Sequence, residues 1–197
     1  MPITYPEGPA QGPDVVNRHL QDILGSPAGA GVLKGHRARE ASLTAPHRSY
    51  FVRLDEVAKG NLLKVAQPVA WRYLLYIDDE IAEVEISDEE PPKEPEFIGF
   101  FEGPFGAATD RALDFAKSLR KVKTNDYELR YLKIPSVYFA AIWLHGEQDD
   151  ILIPLHNPPG GLKEDQAYAE RRVVNSLAGV ARRALAFDRK SSRRKPK

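Results

Sequence analysis

Between Val69 and Ser87 the alternation of apolar and polar residues reads as a hairpin whose register can be tested residue by residue. If Asp78-Asp79 turn the chain and Ile77 lies opposite Glu80, then Leu75 faces Ala82, Tyr73 faces Val84 and Trp71 faces Ile86. One side of this ladder is wholly apolar, while Arg72 falls opposite Glu85 on the other. A slip of one residue would turn every apolar side chain to the wrong face, so the register is strongly specified. The turn lacks the Asn-Gly or Asp-Gly of the commonest two-residue loop, which leaves a wider turn open. Glu83 and Glu85 alternate on the polar side. They read as the solvated face of a sheet, with Arg72 answering one of them. Paired acid–base carboxylates would need burial to separate their pKa values.

The same period of two recurs elsewhere. Strands are expected at 50–57, 97–102, 127–134 and 151–155, with Pro135 a bend and Pro154 marking an edge or an end. Residues 137–145 are apolar on both sides, as in a central strand covered by two layers, one of which could be a second subunit. Helical periodicity appears over 14–24, with Asp14 as cap and Val16, Leu20, Ile23 and Leu24 as its stripe. It returns after the break at Gly103–Gly106, reaching about Lys121, and again over 164–187. The order α-β-ββ-β-α-β-ββ-α implies an α+β fold: a mainly antiparallel sheet of six to seven strands with helices on its face. Strand order is not readable.

The domain boundaries follow composition. Four prolines and two glycines over 1–13 predict a flexible N-terminal arm, 14–187 a single α+β domain, and 188–197 a basic disordered tail. A Gly/Ala-rich loop is expected from 25 to about Pro46. Among 197 residues there is no cysteine, which excludes disulfides, thiolate zinc sites and a thiol nucleophile and makes a reducing cytoplasm the default. No apolar run is long enough to span a bilayer and no secretion signal opens the chain, so no membrane partner is expected. A net charge of zero hides an asymmetry: residues 182–197 hold eight bases and one acid, whereas 78–96 hold ten acids and one base.

Catalytic motifs are scarce. There is no Gly-x-Ser-x-Gly, Ser-x-x-Lys or His-Glu-x-x-His. His145, Glu147 and Asp149 cluster in sequence at a hairpin tip and are the candidate catalytic residues of an enzyme whose site is assembled by folding. His145 and His156 would lie about 20 Å apart along such a hairpin, too far to share a metal. The glycines at 25–35 lack the Gly-Lys-Ser/Thr of a phosphate loop, and Gly103–Gly106 contains Pro104, which removes a donor, so neither implies a nucleotide cofactor. Neither a metal nor a cofactor is expected. Arg189, Lys190, Arg193, Arg194 and Lys195 are candidate partner-binding residues. They suit nucleic-acid phosphates as an alternative role, though no aromatic lies among them to stack bases. Most of the sheet's aromatics, Trp71, Tyr73, Tyr76, Tyr131, Tyr138, Phe139 and Trp143, are expected in the core, while some could line a cavity or a self-association surface.

The stretch from Trp71-Arg72-Tyr73-Leu74 through Glu102-Gly103-Pro104-Phe105 to Tyr127–Leu155 resembles uncharacterised bacterial proteins of similar length. YELRYLKIPSVYFAAIWLHG and DDILIPL carry the resemblance, which covers about two-thirds of the chain. It implies a bacterial cytoplasmic protein and no activity, ligand or catalytic residue. The expectation is a non-enzymatic interaction domain that forms a homo-oligomer or binds a protein partner.

Overall fold

The computed structural model describes residues 3–25, 41–89 and 93–192. Its centre is the predicted hairpin. Strands β3 (Gln67–Ile77) and β4 (Glu80–Ser87) pair with Ile77 opposite Glu80, Tyr73 opposite Val84 and Trp71 opposite Ile86. Only Asp78 and Asp79 separate them, and Asp78 takes a left-handed φ of 49°, which aspartate tolerates. The two-residue turn therefore closes without Asn-Gly.

Around this hairpin lie β1 (Ile3–Thr4), β2 (Ala41–Phe51), β5 (Phe97–Phe101), β6 (Tyr127–Ile134), β7 (Phe139–His145) and β8 (Asp150–Pro154). They form one eight-stranded sheet in the order β5-β4-β3-β2-β6-β7-β8. All pairs in this order are antiparallel except β2–β6. Two antiparallel ribbons thus meet at one parallel seam. Short β1 adds alongside β6, Ile3 opposite Tyr127, so the arm expected to be flexible over 1–13 is anchored at its start.

The helices are α1 (Gly12–Gly25), α2 (Leu54–Lys59), α3 (Pro104–Ser118), α4 (Arg120–Thr124) and α5 (Glu170–Ser192). Helices α3 and α4 cover one side of the sheet, here the front, burying Ala108, Ala112, Ala116 and Val122 against Leu129, Ile142 and Leu144. Gly106 permits this approach: a Cβ there would fall 2.5 Å from the carbonyl of Ile81. On the back, α1 packs Val16 and Leu20 over β3 and β4, while α2 and α5 pack Val57, Val173 and Leu177 over β6 and β7. Strand β7 is covered on both sides, and both covering layers come from its own chain rather than from a second subunit.

Several expectations need correction. Of the strand expected at 50–57 only Tyr50 and Phe51 are strand: β2 ends at Phe51 and α2 begins at Leu54, while the loop expected to reach Pro46 gives way to β2 at Ala41. The helix expected to follow a turn at Gly103–Gly106 and reach Lys121 instead begins at Pro104, which suits a first helical position, and breaks at Leu119, whose extended backbone separates α3 from α4. The last helix starts at Glu170 rather than 164, because Tyr168 is drawn into a bridge with Leu152. That helix runs to Ser192, so the tail expected to be disordered from 188 begins as helix; residues 193–197 lie outside the described residues. Helix α1 starts at Gly12, which puts Asp14 inside the first turn, where its charge favours the helix dipole.

Candidate functional site

The hairpin tip joining β7 to β8 brings together only part of what the sequence nominates. His145 Nδ1 and the Trp143 indole both donate to Asp150 Oδ1, at 2.8 and 2.7 Å. Asp149 instead turns toward the front core. It accepts from the Tyr127 hydroxyl at 2.7 Å and from Lys121 at 2.5 Å. Those two donors hold its carboxyl below the usual carboxylate range, Lys121 first, while burial and Asp149 push Tyr127 up to about 12. Glu147 is exposed at the rim of a hollow of about 310 Å³ that Asp149 and Tyr127 also line, so two of the three nominated residues share it. His145 and Asp149 are therefore held by different partners, Asp150 for the imidazole and Lys121 with Tyr127 for the carboxylate.

His156 sits elsewhere, 6.0 Å from the Phe105 ring, with Glu164 3.7 Å from Nδ1. Among the described residues no group of His, Asp and Glu converges as a metal would require. Arg189 and Lys190 continue α5, while Arg193, Arg194 and Lys195 and the glycines at 26–35 fall outside the described residues.

A second polar assembly, absent from the sequence-based candidates, occupies the front of the central sheet. The expectation that Glu83 and Glu85 are solvated is overturned: they are 0% and 2% exposed. Arg72 donates to Glu83 through one terminal nitrogen and to Glu85 Oε1 through Nε (3.0 Å) and the other terminal nitrogen (2.7 Å). Lys133, two strands away on β6, reaches both oxygens of Glu85 at 2.9 Å, and Thr109 of α3 donates to Glu83 at 2.8 Å. The guanidinium also lies 3.9 Å from the centre of the Tyr131 ring, a cation–π contact across β2. Burial alone would depress the arginine and raise Glu85. Instead Tyr131 and the two carboxylates hold Arg72 up, and Arg72 with Lys133 holds Glu85 low.

Beneath the guanidinium on β2 sit His47 and Ser49, both 0% exposed. A bulge at Ala45, where φ is 50°, aims His47 inward. Its Nδ1 lies 2.6 Å from the Ala45 carbonyl, and because a carbonyl only accepts, Nδ1 carries the proton. Nε2 then keeps a lone pair without a protein partner, as does the Ser49 hydroxyl. Burial first, with Arg72 adding to it, lowers the imidazole pKa to about 4, against the raising effect of Ala45 and Glu85. All four carboxylate oxygens of Glu83 and Glu85 accept hydrogen bonds. These bonds tie β4, β3, β6 and α3 together.

Of the aromatics expected to be core, Trp71, Tyr73, Tyr131, Phe139 and Trp143 are buried, whereas Tyr138 is exposed in a left-handed turn. Trp143 and Tyr50 also flank Arg130, whose guanidinium lies 4.7 and 5.2 Å from their rings.

The sheet's two outer strands are finished differently. Strand β8 ends in Pro154, and Tyr168 exchanges both backbone hydrogen bonds with Leu152 on its outer side at 2.8 Å. Strand β5 has no neighbour beyond β4 among the described residues. Phe97 and Phe100 turn back toward α1, Phe97 stacking on His19 at 4.4 Å. A bulge then leaves Ile98 49% exposed, and Phe101 is 40% exposed. The strand is pinned at its base by Ser87, whose N–H donates to the Glu96 carbonyl and whose hydroxyl accepts from the Glu96 N–H, both at 2.8 Å.

The chain matches no family model, and neither the curated proteins nor the solved structures compared with it give a significant match. Among the described residues no helix is long and apolar enough to cross a membrane.

Proposed function

We propose that this protein is a non-enzymatic interaction domain that engages a partner chain by accepting an added strand along β5. One observation carries the reading. Phe97–Phe101 is an ordered sheet edge with no charged residue, whose backbone groups facing away from β4 have no partner among the described residues. Natural sheets blunt such edges with charge, proline or a covering segment. The opposite edge is closed by Pro154 and Tyr168, whereas β5 has neither and is interrupted only by the bulge at Ile98. Strand addition would supply backbone hydrogen bonds, with Ile98 and Phe101 contributing apolar contact. The polar clusters support the same reading because their charges are spent on one another.

The absence of native cysteine makes a clean test available. A nitroxide attached through Ile98→Cys reports on β5, and one attached through Phe187→Cys, on an exposed face of α5, serves as control. Titration with extended seven-residue peptides is expected to immobilise the label at 98 and leave that at 187 unchanged. Equal response at both positions, or none at either, would refute the reading.

A further inference from the structure

The chemistry at the two ends of β5 narrows what can dock there, on the premise that β5 is the contact edge. Glu94 and Glu96 precede the strand and Glu102 follows it, all three exposed. From Asp88 to Glu102 the chain carries six acids and one base, Lys93. Lys93 lies 3.5 Å from Glu89, so its charge is already engaged. The edge is thus an uncharged five-residue strip between two acidic ends.

A second copy paired in the register centred on Gly99 fits this strip badly. Antiparallel pairing about a two-fold axis at Gly99 would set Phe97 opposite Phe101 and, one step further out at each end, Glu96 opposite Glu102. Like charges directly opposite one another across an antiparallel ladder are destabilising, and here the conflict occurs twice. A strand with apolar residues at its centre and Lys or Arg at both ends would meet opposite charge at the same two places.

We infer that β5 accepts an extended segment of a different protein, apolar in its middle and basic at both ends, and that the acidic flanks select it against self-pairing. Opposed charges would give up part of this preference to salt, since the glutamates are exposed. The apolar strip would keep its contribution.

The test uses the full chain labelled at Ile98→Cys and two peptides, KVTVTVK and EVTVTVE. KVTVTVK should bind about tenfold more tightly than EVTVTVE at low ionic strength, with the ratio shrinking in high salt. The double variant Glu96→Lys, Glu102→Lys changes only exposed side chains and should reverse the preference. Equal affinities, with the label at 98 immobilised by both peptides, would overturn the charge selection and leave β5 as the contact edge. No binding of either peptide up to about 1 mM would overturn both. Sedimentation showing a dimer that Ile98→Lys dissociates would replace the foreign strand with a second copy.

Discussion

Two ion-paired assemblies sit at opposite extremes of the same sheet. Arg72 with Glu83, Glu85 and Lys133 lies under α3, the arginine side chain 5% exposed and Glu83 fully enclosed. Lys121 with Asp149, and His145 with Asp150, stand at the β7–β8 tip, where Lys121 is 69% exposed. The residue types are similar and the contact distances overlap. What differs is access of water. At the tip Lys121 and Asp149 both stay open to water, so forming the pair changes little. Beneath α3 each ion has lost its hydration and depends on its neighbours, so the pairs add little net stability while intact yet removing one member is costly.

The largest effect should therefore follow Arg72→Met. It strands two buried carboxylates with only Lys133 and Thr109 to answer them, and a loss of about 3–5 kcal/mol in urea unfolding is expected. Replacing all three of Arg72, Glu83 and Glu85 by apolar residues of similar volume should cost less than the single change. If Arg72→Met costs below about 1 kcal/mol, the two assemblies are energetically alike and the contrast fails.

Acid should find the buried assembly next. The His47 pKa of about 4 in the fold lies below the ordinary 6.5, so as pH falls the unfolded chain takes up the proton first. Stability from this group is intact above pH 6.5, declines as the pH drops toward 4 and is then fully lost. The loss totals about 3 kcal/mol. Glu85, held low by Arg72 and Lys133 against burial, adds its loss only below its ordinary 4.5. In His47→Phe the decline between pH 6.5 and 5 should be shallower than in the parent chain, read as the difference between their denaturant midpoints at each pH. Parallel profiles would mean that the imidazole is not enclosed.

How much of this was legible in the sequence depends on how local the cause is. The β3–β4 register follows from side chains within twenty residues of one another, and every pair read from the pattern is present. The covered central strand β7 was legible from its own composition. The burial of Glu83 and Glu85 was not. Their alternation beside a turn is identical in a wet and a dry strand, and α3 and Lys133, which enclose them, come some 20 to 50 residues later. Arg72 opposite Glu85 did not separate the two, since charge pairing across a ladder is compatible with either environment. Tyr50-Phe51 reads as the start of a strand because its apolar residues continue into Val52, yet β2 ends there and Leu54 opens a helix. The parallel seam between β2 and β6 joins residues about eighty positions apart, and no local period encodes that choice.

The tip supplies the smallest expected effect and the sharpest check on the comparison. Lys121→Ala removes one of two donors to Asp149 and leaves the Tyr127 hydroxyl in place. The carboxylate remains open to water, so the cost should stay below about 1 kcal/mol and vanish as ionic strength is raised. His145→Ala likewise leaves Asp150 its bond from the Trp143 indole, and it should shift the urea midpoint no further than Lys121→Ala does. A cost for either change as large as that of Arg72→Met would place the tip among the enclosed charges. It would also reopen His145, Glu147 and Asp149 as a site in which polar groups are held out of water for a chemical purpose.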